Sequence, residues 1–571
     1  MHSTSIRVAV AQFGVTDDVQ ANLDTCLKMI DQAARCKPTL IVLPEFVNHM
    51  AWYRDAAHCY SAAVDWHGSF LRAVGAKARE HQCYIKLNVT LKRPEPDYAG
   101  SEREVIGKVT GTNILFDPTG NMIGACDKHI LMGNENNFLQ RACSIAPVIE
   151  TPFGKAGMYA CMDGVIPEVA RSLAVRGAHV LLNSLNSFAF DEAWLHVPVR
   201  AAENKVFVAA ANKVGPLVPE EIRDIVAERL KIHPDFLEGA GESQIVAPDG
   251  SVLARAPRRG EAVVYADIDV REAENKLRPD GTDVFATRRP ELYRPIAAPS
   301  QEHQNKPGAE RILAGVIQIS RSGNAAVALV SQWIAEAENR GVRIIVLPEL
   351  FHLPPEWFHF PDAEWAQQES QAMVTALRSV LNIAYVVTSI VENGTHTGVM
   401  FNKDGVVLRQ PQLHASGRHA WSKLGDALSV VDTEWGRVAM VVGNDAIYPE
   451  TFRLAALQGV EVVAVPTMIL ERWEATLGFR ERAAENRMNV LVASRSESGV
   501  HAVTADFTLW TEWKHRPFDG NINAPVTTMA QEEGLILAEI YPAAAANKMV
   551  SYRTNLLHDR PWRLAGPLVG S

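Results

Sequence analysis

No cysteine follows Cys161 in this chain of 571 residues; all seven (Cys26, Cys36, Cys59, Cys83, Cys126, Cys143 and Cys161) lie in the first half. Their number is odd and none are spaced as C-x-x-C, which argues against a disulfide framework or a zinc cage. Long apolar runs are missing too. Nothing approaches the ~18 uninterrupted apolar residues of a membrane span, and MHSTSIRVAVAQFG has none of the graded segments of a secretory leader. A cytoplasmic protein is expected. Positive charge is short, with 56 Lys and Arg against 66 Asp and Glu, so there is no basic footprint for nucleic acid or an anionic membrane. The histidines show no HExxH or comparable ligand spacing, so no metal or organic cofactor is expected and His129 reads as structural. What remains is a 47% hydrophobic, 21% charged globular composition, long enough for two or more domains and suited to small-molecule chemistry.

The chain is written twice. Near the start of each half an apolar run ends in glutamine, RVAVAQ (Arg7 to Gln12) and ILAGVIQ (Ile312 to Gln318). A helical pattern follows, and then a buried strand with one ending: TLIVLPEF (Thr39 to Phe46) and RIIVLPEL (Arg343 to Leu350). GKAGMYACMDGVIPEVARSLAVRG matches GRVAMVVGNDAIYPETFRLAALQG without a gap at an offset of 282 (443 − 161), which also carries Arg200 to Asn204, RAAEN, onto the identical Arg482 to Asn486. NK at Asn275 and Asn547 and RP at Arg289 and Arg560 echo each other at the two ends. The Pro-, Gly- and polar-rich stretch AAPSQEHQNKPGAE reads as a linker. The expected division is a first domain over residues 1–296, a linker over 297–310 and a second domain over 311–571, each α/β, since short Val/Ile/Leu strands alternate with helical patterns.

The first half carries a set of reactive groups. Cys161 follows a strand pattern and precedes a helix starting near Pro167, so its sulfur is presented on a turn with backbone N–H groups nearby. A thiol attacking an amide or nitrile carbon needs a base for its proton, a cation or N–H donors for the oxyanion, and a proton for the departing nitrogen. Glu45, ending the LPE strand, supplies a base, and Lys128 in ACDKHIL a cation. Taken singly, Cys161 would read as a small buried hydrophobe and the other two as solvated charges.

Together these residues resemble the nitrilase, or carbon-nitrogen hydrolase, superfamily, and the resemblance covers nearly the whole chain as two consecutive copies. Glutamate in LPE, a lysine after a strand pair and cysteine in C-x-D-x-x-x-P-E are matched by Glu45, Lys128 and Cys161, with RAAEN and RRPELY (Arg288 to Tyr293) in support. The resemblance implies two tandem four-layer α-β-β-α sandwich domains. It implies a hydrolase acting on carbon-nitrogen bonds other than peptide bonds, in which Glu45 is general base and then acid, Lys128 stabilises the oxyanion and Cys161 forms a thioester. Glu135 in GNENNF, seven residues after Lys128, matches a second glutamate of the family, and the backbone N–H of Met162 is the implied partner of Lys128 in the oxyanion site.

Cys161-Met162-Asp163 is similar to the amidase-type branches, whereas nitrilases of the superfamily usually follow the cysteine with Trp-Glu. Carbamoyl-amino-acid hydrolases tend to have arginine just after the aspartate, where this chain has Gly164 and Val165. The expected partner is a small-molecule amide. Nitrile hydrolysis, carbamoyl hydrolysis, acyl transfer from the same thioester and a catalytically silent scaffold stay open as alternatives. Phe46, Trp52, Tyr53, Phe188, Phe190 and Trp194 are candidates for an apolar acyl pocket. In the second half Glu349 is kept, Gly443 replaces the nucleophile, and an ungapped match puts Leu413 opposite Lys128, or Gln412 after a one-residue shift. That half is expected to be degenerate and to serve as a built-in partner packed on the first, with further homo-oligomerisation open.

Overall fold

The computed structural model describes residues 5–93, 109–301, 306–358, 361–508, 513–514 and 516–570. The insertion-like run Lys92 to Glu104 therefore lies, beyond Arg93, outside the described residues.

Each half is a pair of six-stranded sheets with helices outside. In the first half one sheet runs Ala262–Asp269, Ser5–Gln12, Leu40–Val42, Tyr84–Lys92, Val109–Phe116, Met122–Asp127. The other runs Val252–Arg255, Gln244–Val246, Phe207–Ala211, Val180–Ser184, Gly154–Ala160, Val148–Thr151. The central strands are parallel, buried on both faces and accordingly near-continuous in Val, Ile, Leu and Ala. Val8, Val10, Leu40 and Val42 pack with Ala156 and Met158 between the sheets, while Ala9, Ala11 and Ile41 meet the helices Val19–Ala34 and Ser69–His81. Glu168–Val175 and Val197–Asn204 cover the second sheet from outside. The second half repeats this to the register: Val8 pairs with Leu40 and Val10 with Val42 in one copy, Ala314 with Ile344 and Val316 with Val346 in the other. Two tandem α-β-β-α sandwiches result. Among the described residues no helix is long and apolar enough to cross a membrane.

The halves meet through the helices behind their second sheets, and the junction is ionic. Arg171 Nε lies 2.9 Å from Glu450 Oε1, and its counterpart Arg453 lies 2.8 Å from Glu168. Arg200 pairs with Glu203 of its own helix at 2.5 Å, and with Glu481 and Glu485 of the other half. Arg482 pairs with Glu485 and reaches back to Glu203. The RAAEN repeats thus face each other across a pseudo-twofold axis, with Val199, Ala202, Trp473 and Leu477 as an apolar seam alongside. Burial opposes the charge of Glu450, but Arg171 and Arg288 hold its carboxyl down at about 2.

The ends of the halves are exchanged. After Asp269 the chain leaves the first sandwich, and Tyr293 and Ile296 enter an apolar cluster with Phe452 and Ala455 of the second half. Conversely Val550 and Leu556 sit in a cluster with Ile130, Met162 and Ile166 of the first. Lys276 Nζ donates to the carbonyls of Asn204 and Lys205 at 3.0 and 2.7 Å, and Lys548 does the same at Asn486 and Arg487, both at 2.8 Å. The repeated NK is therefore a clasp on the end of each RAAEN helix.

Removing one partner of such a buried set strands the others without water. Glu450→Gln, which leaves Arg171 and Arg288 facing an amide, is expected to cost ~3–5 kcal/mol, read as a lowered urea midpoint at neutral pH. An unchanged midpoint would show that the junction carries no stability through this pair.

Candidate active site

The nucleophile candidate sits where a strand turns too sharply for an ordinary residue. Gly154–Ala160 ends, Cys161 takes φ +50°, and a one-turn 3-10 helix, Cys161–Gly164, leads to the helix Glu168–Val175. That left-handed conformation costs a non-glycine residue about 1–3 kcal/mol and is held from several sides. The Cys161 N–H donates to Asn183 Oδ1 at 3.1 Å, and Arg200 donates to the carbonyls of Gly164 and Val165 at 2.8 and 3.1 Å. Asp163 ties the turn to the lysine loop by accepting the N–H groups of His129 and Ile130 at 3.0 and 2.8 Å. The aspartate of C-x-D thus sets where Lys128 stands.

Glu45 is placed by a second left-handed residue. Leu40–Val42 stops short, the Glu45 N–H donates to Leu185 O at 3.1 Å, and Phe46 turns at φ +48° with its N–H on Asn88 Oδ1 at 3.1 Å. Lys128, wholly buried, has its Nζ 2.8 Å from Glu45 Oε1 and 2.9 and 2.8 Å from the two oxygens of Glu135. Glu135 is fixed in turn by the Met132 N–H at 2.9 Å. Burial pushes the Glu45 carboxyl up to about 7, with Lys128 opposing the shift. Burial also works against the charge of Lys128, but Glu135 and Glu45 hold it well above its usual value, as an ammonium. Burial and then Glu45 push the Cys161 thiol well above its ordinary range. The resting set is therefore a thiol, a fixed cation and a carboxylate poised near neutrality, which is the set that base-assisted thiol attack requires.

Cys161 borders two lobes of one cleft, about 480 and 680 Å³ with their mouths included, within the range of small-molecule sites. Met132, Asn186 and Phe188 line both; Trp52, Glu135 and Leu217 belong to one, and Val165, Glu192, Ile522, Asn523 and Val550 to the other. The second half thus supplies part of the wall. Its loop is pinned by Asp191, whose carboxylate accepts the N–H groups of Ile522, Asn523 and Ala524 at 2.7–3.2 Å.

A carbon-nitrogen hydrolase family profile matches residues 7–276 and 313–511. The chain belongs to the carbon-nitrogen hydrolase family. It is a hydrolase acting on carbon-nitrogen bonds other than peptide bonds. It is 27% identical over 304 residues to deaminated glutathione amidase of Mus musculus, an alignment covering 51% of this chain and 86% of that protein. It is 29% identical over 273 residues to a nitrilase of Pyrococcus abyssi, covering 48% and 92%. Among solved structures, an amidase from Nesterenkonia sp. superposes with a TM-score of 0.37 at 21% identity, covering 48% of this chain and 94% of that one.

In this carbon-nitrogen hydrolase Glu45, Lys128, Glu135 and Cys161 come together, with Met162 next to the sulfur-bearing residue in the turn. Of the six aromatic candidates, Trp52 and Phe188 line the cleft. Phe46 packs under the Lys128 ammonium, 5.4 Å from its ring centre, Tyr53 stacks on His49, Phe190 lies beneath Arg258, and Trp194 donates to Asn521. These four line neither lobe and are engaged in packing contacts instead. A side chain at Gly164 would meet the Tyr159 ring at 2.8 Å, so no arginine fits there. Sequence reasoning passed over Asn183, Glu192 and two buried lysines. Lys86 donates to Ser184 Oγ at 2.5 Å beneath the site, and the Lys213 ammonium has no hydrogen-bond partner among the described residues; burial pushes both down to about 7. Neither stands in a motif that composition or spacing would single out.

The second copy keeps the backbone and fills the site. Gly443 has φ +56°, and a Cβ there would meet Glu349 Oε2 and His396 Cε1, both at 2.9 Å. Asp445 accepts the N–H groups of Leu413 and His414 as Asp163 accepts those of His129 and Ile130, which puts Gln412 opposite Lys128 and corrects the ungapped match to Leu413. The ungapped match fails because the hairpin turn before this loop is one residue shorter in the second copy, where Phe401 pairs with Val406, than in the first, where Phe116 pairs with Met122. Glu349 is paired by Arg418, and His396 is bonded on both nitrogens, to Gln412 at 2.6 Å and Ser389 at 2.8 Å. Glu349, His396 and His419 stand close enough to hold a metal ion, but Arg418 already supplies the positive charge and the His396 nitrogens are engaged.

Only ionised Glu45 can take the thiol proton, so alkylation of Cys161 by iodoacetamide, followed by site-resolved mass spectrometry, is expected to rise with pH through about 7. In Glu45→Gln that limb near 7 is expected to vanish, since no carboxyl remains to take the proton. Superimposable profiles would remove Glu45 as the base.

Proposed function

We propose that the protein is a cofactor-independent thiol amidohydrolase that cleaves a small-molecule amide to a carboxylic acid and ammonia or an amine. The observation that carries this reading is the convergence of Glu45, Lys128 and Cys161 in one cleft, with Glu135 on the same ammonium. The Cys161 sulfur attacks the carbonyl carbon as its proton passes to Glu45, and the carbon-oxygen pair moves onto oxygen, held by Lys128 and the Met162 N–H. The carbon-nitrogen bond then breaks as Glu45 returns its proton to nitrogen, leaving a thioester on Cys161. Water attacks the thioester while giving a proton to Glu45; the carbon-sulfur bond breaks and the thiol is restored. Glu135 orients the Lys128 ammonium and the substrate nitrogen.

The working division is a catalytic domain over 1–296, a linker over 297–310 and a degenerate domain over 311–571, in which Gly443 and Gln412 replace thiol and ammonium. Its role in this reading is support. Ile522, Asn523 and Val550 wall the cleft, and Glu481 and Glu485 hold the arginine that grips the nucleophile turn. The relatives named as amidases and the C-x-D wording favour an amide over a nitrile.

Ammonia release from short aliphatic, aromatic and carbamoyl amides is the direct test. The full chain is expected to release ammonia and Cys161→Ala to fall to the uncatalysed background, with a nitrile yielding no acid. Equal release by both proteins would remove Cys161 as nucleophile. Residues 1–296 alone, stripped of the partner carboxylates, are expected to aggregate or to lose activity by at least ~100-fold; a monomeric, fully active fragment would overturn the supporting role.

A further inference from the structure

Glu192 is a buried carboxyl that the proposed reaction does not use. It opens the π-turn Glu192–His196, is 3% exposed, borders the lobe beside Cys161, and its Oε1 has no hydrogen-bond partner among the described residues. Among the described residues no cation forms an ion pair with it. His196 is held well above its usual value against the desolvation of burial, yet it stands between Glu481 at 2.8 Å and Asp191 at 3.8 Å.

The second copy contains the missing partner. The offset of 282 carries Glu192 onto Glu474, which opens the matching π-turn Glu474–Gly478, and Met162 onto Asn444. There the guanidinium of Arg278 donates to both Glu474 and Asn444 and is itself buried. Arg278 comes from the exchanged end of the first half. Its counterpart follows from the NK clasps: two residues beyond Lys276 is Arg278, and two residues beyond Lys548 is Val550. Val550 borders the live lobe. In the second copy the glutamate is answered by a cation that the chain provides, whereas in the first the Val550 isopropyl group and Glu192 share one lobe and Glu192 Oε1 has no hydrogen-bond partner among the described residues.

We propose that the live lobe binds a cationic group of the substrate, an ammonium or guanidinium, against Glu192, in the position that Arg278 occupies in the second copy. The inference rests on the amidohydrolase reading and narrows its substrate to amides with a positively charged acyl chain. Glu135 borders the other lobe, where the leaving nitrogen faces its acids, so the acyl chain enters the lobe of Glu192. Burial pushes the Glu192 carboxyl up to about 7, the condition of a group whose counter-charge arrives with the ligand.

The test compares 4-aminobutanamide with its neutral isostere pentanamide on the full-length protein. The wild type is expected to favour the cationic amide in kcat/KM by at least ~10-fold, and Glu192→Gln to bring that ratio to about one. A ratio that Glu192→Gln leaves unchanged, or a wild-type preference for pentanamide, overturns the inference while amide hydrolysis stands. If neither amide releases ammonia, the amidohydrolase reading fails for this pair and calorimetry decides the site. Propylammonium is expected to bind the full-length Cys161→Ala protein and to lose at least ~10-fold in affinity on adding either Glu192→Gln or Val550→Arg, which copies the arginine of the second copy. Equal affinity in all three proteins overturns the site.

Discussion

The guanidinium of Arg200 is the interaction on which the other features depend. It reaches two carbonyls of the turn that carries Cys161, one glutamate of its own helix and two of the other half. The turn of Cys161 and the contact between the halves are therefore one electrostatic unit. Arg171, Arg200, Arg288, Arg453, Arg482 and His196 face Glu168, Glu203, Glu450, Glu481, Glu485 and Asp191, six of each sign. Taking these groups out of water is expensive, and an apolar seam of equal volume would dock the halves as firmly. An apolar seam tolerates sliding, however, while forked arginines on carboxylates do not. Because the second half lines the cleft, a slide of one helical turn would move Ile522 and Val550 away from Cys161.

Two of the left-handed non-glycine residues stand at the candidate site. Cys161 and Phe46 sit in left-handed backbone, and the groups they position, a thiol and a carboxylate, share one ammonium with Glu135. The second copy differs at these positions. The strained position becomes glycine, the ammonium becomes Gln412, and the glutamate is neutralised by Arg418. The strands, the clamp by Asp445 and the RAAEN contacts are kept, since those serve packing.

Much of this was legible in the sequence because it rests on local or repeated signals. The strands betray themselves by Val/Ile/Leu runs, the duplication by its offset, and Glu45, Lys128 and Cys161 by motif wording. Glu135 stood out only through its spacing from Lys128. What the sequence hid is set by long-range geometry. Asn183 lies 22 residues from the backbone N–H it accepts, Lys86 reaches a serine 98 residues away, and Asp191 holds a loop more than 330 residues on. The exchange of ends was invisible for the same reason: NK and RP repeat in the sequence, but nothing in the letters says that each NK lysine clasps its own half while each RP arginine reaches the other. The aromatic candidates misled because large rings near a motif are as useful for packing as for lining a cleft.

The most informative difference between the copies is a difference in satisfaction. Folded chains leave few buried polar groups unpaired, and those that remain gather where a ligand or a reaction completes them. In the second copy the glutamates at both positions are paired from within the chain, Glu349 by Arg418 and Glu474 by Arg278. In the first, Glu192 Oε1, Lys213 Nζ and Asn183 Nδ2 are buried near the turn of Cys161 without hydrogen-bond partners among the described residues. Two sequences that fold alike have thus been pushed to opposite ends of one balance. The second copy answers both glutamates with arginines of its own chain, and the first leaves at its cleft the groups that the proposed substrate would meet.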